Sequence, residues 1–80
     1  MTKIYDNSKL LSQKELELIQ QQAENLDFDW VKEAELEVYI SEEVNQNGLN
    51  IQVLVENSFG YFGWNTNHSI MADEIKKEFY

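Results

Sequence analysis

"EAELEVYISEEVNQNGLNIQVLVE", residues 33–56, decides the fold, because its polarity alternates residue by residue on both sides of one turn signal. The even positions of its first half read Ala34, Leu36, Val38 and Ile40; the odd positions read Glu33, Glu35, Glu37 and Tyr39. Side chains on a strand alternate between its two faces, so this pattern is a half-buried strand with one apolar and one acidic face. The alternation starts at Phe28 and Trp30 and is sustained over residues 33–44.

Asn47-Gly48 suits the two positive-φ positions of a type I′ hairpin turn. Such a turn pairs Val44 with Ile51, Glu42 with Val53 and Ile40 with Val55. The second strand, residues 49–56, then places Leu49, Ile51, Val53 and Val55 on the face already apolar in the first. A one-residue slip would put the two apolar sets on opposite faces.

Downstream, "FGYFGWN", residues 59–65, carries four rings and two glycines. A four-residue turn, Asn57 to Gly60 with Gly60 in a left-handed conformation, pairs Glu56 with Tyr61, Val55 with Phe62 and Val53 with Trp64. Phe62 and Trp64 then join the core. Tyr61 lies on the outer face near Tyr39, and Gly63 falls opposite Leu54. A three-residue loop would turn both core rings outward and make a stacking platform.

Upstream, Ser12 and Glu15 have capping-box spacing, with Leu11 and Leu16 placed as a hydrophobic staple. Leu16, Ile19, Ala23 and Leu26 form one apolar stripe, which predicts a helix ending near Asn25–Asp27. A second helix is expected after a cap within Thr66–Ser69. Its stripe is Met71, Ala72, Ile75 and Phe79, with Asp73 and Glu74 early and Lys76 and Lys77 late, as the helix dipole favours. Residues 1–11 read as a short strand or a loosely ordered arm. The expected fold class is α+β: helix, antiparallel three-stranded meander, helix, with both helices packed on one face of the sheet. Residues 1–80 make a single small acidic domain.

Fifteen acidic residues face six lysines, arginine and cysteine are absent, and the net charge is −9. That charge repels phosphate and anionic lipid, which argues against direct binding of nucleic acid or membrane. Without cysteine there are no disulfides and no thiolate ligands. No apolar stretch is long enough to span a bilayer, and a cytoplasmic protein is expected.

Catalytic candidates are few. His68 is the one histidine, and Met71 and Ala72 stand where a second metal ligand at helical spacing would be needed. Glu43 to Gly48 echoes a calcium loop, but the last ligand position falls on Leu54. Ser12, Ser41, Ser58 and Ser69 lack a nucleophile-elbow context. Neither an enzyme nor a cofactor is expected.

Ten of the acidic residues fall between residues 12 and 43, against two lysines. Asp27, Asp29, Glu33, Glu35 and Glu37 share odd parity. In an extended chain their spacing on one face would be roughly 6.6–6.8 Å, close to a row of nucleic-acid phosphates. With Tyr39 and Glu43 they form the candidate partner-binding set. The partner they imply is a basic protein surface, one that itself binds nucleic acid. In size, charge and lack of catalytic groups the chain resembles small inhibitors of DNA-binding proteins encoded by phages and mobile elements, a resemblance that implies a nucleic-acid mimic. The alternative is an accessory interaction module with an apolar or aromatic surface, whose charge serves solubility and discourages edge pairing.

Overall fold

The structure, a computed structural model, describes residues 2–45 and 48–67, of 43–45 and 48–49 the backbone alone. It is α+β, with one α-helix and a four-stranded mixed sheet among the described residues. The elements are β1 (Lys3–Asp6), α1 (Gln13–Glu24), a 3₁₀ turn (Asp29–Lys32), β2 (Glu37–Asn45), β3 (Gly48–Asn57) and β4 (Gly60–Asn67). The spatial order is β1-β2-β3-β4, with β1 parallel to β2 and the other pairs antiparallel.

The N-terminal segment is therefore a fourth strand. Lys3 pairs with Glu37 and Tyr5 with Tyr39, so β1, α1 and β2 make a parallel crossover unit. Asp6 closes β1: its Oδ1 accepts hydrogen bonds from Ser8 N at 2.9 Å and Ser8 Oγ at 2.6 Å. A third, from Lys9 N at 3.3 Å, holds Lys9 at a φ of 57°, a left-handed conformation that a side chain rarely adopts.

α1 starts as its capping box dictates. Ser12 Oγ accepts from Glu15 N at 3.2 Å, and Glu15 Oε1 accepts from Ser12 N at 2.9 Å. The helix ends at Asn25, its C-cap. Ile19 and Ala23 are fully buried against Val38, Ile40, Ile51, Val53 and Val55 of the sheet, and Leu11, Leu16, Leu26, Trp30 and Trp64 pack at the margin of this core.

Two expectations about β2 and β3 change. The chain from Phe28 to Lys32 is not extended: Val31 N donates to Phe28 O at 3.1 Å and Glu33 N to Trp30 O at 3.3 Å, the three-residue bonds of a 3₁₀ turn. β2 begins only at Glu37. The hairpin register is also displaced by two residues, with Ile40 opposite Val53, Val38 opposite Val55 and Asn45 opposite Gly48. A shift of two preserves parity, so Val38, Ile40, Ile51, Val53 and Val55 keep the expected apolar face.

The β3–β4 register is the expected one: Glu56 with Tyr61, Val55 with Phe62, Leu54 with Gly63, Val53 with Trp64. The loop itself is shorter, since Asn57 pairs with Gly60. Gly60 does not have the expected left-handed φ. It is needed for another reason: a Cβ built there would stand 2.8–2.9 Å from Cδ2, Cδ1 and Cγ of Trp30. Asn57 shapes the turn, its Oδ1 accepting from Phe59 N at 2.8 Å and Gly60 N at 3.2 Å.

Thr66 and Asn67, expected at a helix cap, are still in β4. The expected C-terminal helix and His68 lie outside the described residues.

Candidate functional site

The sheet has two unlike faces. α1 and the 3₁₀ turn lie on the apolar face; the other face is composed of cross-strand rows fixed by register. One row runs Lys3, Glu37, Glu56, Tyr61, and the next runs Tyr5, Tyr39, Leu54, Gly63. A third carries Ser41, Gln52 and Asn65, with Ser41 Oγ donating to Gln52 Oε1 at 3.5 Å.

The charged row places Glu37 directly opposite Glu56. Like charges at a cross-strand pair oppose folding, by about 0.2–1 kcal/mol. The neighbouring row is aromatic: Tyr5 and Tyr39 stack with ring centroids 5.0 Å apart and an interplanar angle of 15°. The rows are tied together by Tyr39 Oη, which donates to Glu37 Oε2 at 2.5 Å. This hydrogen bond to a carboxylate stabilises the neutral phenol, and with desolvation and the charges of Glu37 and Glu56 it pushes the Tyr39 pKa up to about 12. Tyr61 projects from the end of the charged row, 76% exposed.

At that end of the sheet a cleft of about 360 Å³ is bounded by Ala34, Glu35, Glu37, Glu56, Asn57 and Ser58. It gathers two members of the expected acidic set with one carboxylate from β3. The rest of the set is dispersed. Asp27 follows α1, Asp29 opens the 3₁₀ turn and Glu33 caps it, and all three are exposed. The even pitch expected from Asp27 to Glu37 does not exist, because the 3₁₀ turn breaks the extended run. Glu43 lies in β2 opposite Asn50, with only its backbone described. Among the described residues, no group of three or more His, Cys, Asp or Glu side chains is placed to hold a metal ion, and no helix is long and apolar enough to cross a membrane.

Sequence reasoning passed over three members of this face. Glu56 has even parity on β3, the outer-face parity of the expected hairpin, so its position was available. Tyr5 and Lys3 were not, since nothing local signals a parallel partner 34 residues along the chain.

A second aromatic group lies at the other margin. Phe28 stacks on Trp30 at 5.7 Å, Phe62 meets Phe28 at 5.2 Å and Trp64 at 6.2 Å. Phe62 is thus on the apolar face as expected, yet 37% exposed. The chain matches no protein-family model, no curated protein and no solved structure.

Proposed function

We propose that this chain is a non-enzymatic, acidic protein-binding domain that occupies a basic site on a nucleic-acid-binding protein, as phage and mobile-element inhibitors do. The observation that carries this reading is the Glu37–Glu56 pair. Two carboxylates held opposite each other cost the fold stability, and a cation brought between them by a partner relieves that cost. The adjoining Tyr5–Tyr39 stack offers a π-face to the same lysine or arginine side chains. The net charge of −9 supplies long-range steering toward such a partner.

The contact surface in this reading is the outer sheet face at Glu37, Tyr39 and Glu56, with Glu35 just before β2; Asp27, Asp29 and Glu33, on or beside the 3₁₀ turn, contribute only to the overall negative charge. The likeness to nucleic acid rests on charge, not on a phosphate-like pitch. Capture of partners on the immobilised chain at low salt, followed by titration with salt, tests it. Affinity for the captured protein should fall steeply with ionic strength, and the chain should displace that protein's nucleic acid. A salt-independent complex would instead favour an accessory module docking through its exposed rings.

A further inference from the structure

We propose that β4 is the interface of a homodimer, in which the β4 edges of two copies pair antiparallel and join the two sheets into one. In the described sheet, β4 is an edge strand, with β3 on one side and no described strand on the other. Alternate residues of an edge strand send their backbone N–H and C=O groups outward, where they seek a strand partner. Proteins that remain single blunt such edges with charge, proline or shortness. The opposite edge, β1, is blunted in this way: it is four residues long and carries Lys3 and Asp6. β4, Gly60–Asn67, is eight residues long and has neither charge nor proline.

Charge identifies the occupant. In a chain of net charge −9, no charged side chain falls between Glu56 and Asp73. A second copy therefore meets least repulsion along this edge. The rings add apolar area. Phe62, 37% exposed, and Trp64, half-buried, lie on the apolar face of β4, and in an antiparallel pair those of one copy stand beside those of the other. A two-fold axis through such a pair keeps both outer faces on the same side. The dimer would then present the Glu37–Glu56 and Tyr5–Tyr39 rows twice on one continuous surface. The dimer does not depend on the proposed function.

Sedimentation of the full chain from about 1 µM to 1 mM tests it. A reversible monomer–dimer equilibrium is expected, and it should tighten as salt rises, because salt screens the repulsion between two acidic copies. Partner binding has the opposite salt sign, so the two claims fail separately. Asn65→Asp, on the exposed face of β4, should weaken the dimer about tenfold or more. Asn7→Asp makes the same charge change beside β1 and should leave the dimer constant unchanged; circular dichroism checks the fold of both variants. A wild type monomeric throughout overturns the proposal, as does an open-ended assembly or a dimer that the two variants affect equally. A monomer whose outward β4 amides resist hydrogen exchange would give the edge to another occupant, residues 68–80 among them, and also overturns it.

Discussion

The indole of Trp30 fills the space that a side chain at Gly60 would need, with three ring atoms 2.8–2.9 Å from a Cβ built there. The same residue is held from its backbone, where Trp30 O accepts a hydrogen bond from Asn57 Nδ2 at 2.6 Å. The β3–β4 turn thus grips the 3₁₀ turn across 27 residues of sequence. This contact connects the segment that breaks the acidic run to the sheet that displays Glu37 and Glu56.

Gly60→Ala should destabilise the fold by about 1–3 kcal/mol, since the indole must move or the turn must open. Gly63→Ala is the control: its Cβ would stand 3.4 Å from Val53 O and 3.7 Å from Leu54 Cδ1, so it should cost less. Urea denaturation of both variants measures the difference.

Truncating the core should follow burial rather than ring size. Ile51 is fully buried, and Ile51→Ala should cost about 2–5 kcal/mol. Phe62 is partly exposed, and Phe62→Ala should cost about 1–2 kcal/mol, with Tyr61→Ala less again. The order of the three denaturation midpoints checks this.

Where the sequence was legible, a local rule and a face constraint agreed. The Ser12–Glu15 capping box set the start of α1. The apolar parity of Val53, Val55, Phe62 and Trp64 set the β3–β4 register. The errors have equally physical origins. Alternation from Phe28 to Lys32 looks extended until Val31, of the polar parity, is found buried at 8% exposure while Phe28 is 38% exposed. Parity cannot detect a two-residue slip, so the Asn47-Gly48 signal placed the β2–β3 turn one residue too late. β1 pairs in parallel with a distant strand, and four residues carry too little pattern to announce it. At the candidate site, Glu35, Glu37 and Tyr39 were legible from alternation; Glu56 and Tyr5 needed the register.

Tyr39 should titrate late, because its hydroxyl donates to Glu37 and its pKa is raised to about 12. The folded-state pKa exceeds the ordinary tyrosine value of 10.0, so the hydrogen bond stabilises the fold below pH 10 and that contribution is lost as pH rises toward 12. Ultraviolet titration of the phenolate should show a late phase that is absent in Tyr39→Phe and moves to lower pH in Glu37→Gln.

The most direct test of the proposed function is one variant measured two ways. Glu56→Gln removes one of the two opposed carboxylates while keeping side-chain size and leaving the Tyr39–Glu37 hydrogen bond in place. If that pair is retained for a cationic partner, the variant should be more stable than wild type, by about 0.2–1 kcal/mol, and should bind the captured protein at least about tenfold more weakly at low salt. A variant that gains stability and binds as tightly as wild type would contradict the account.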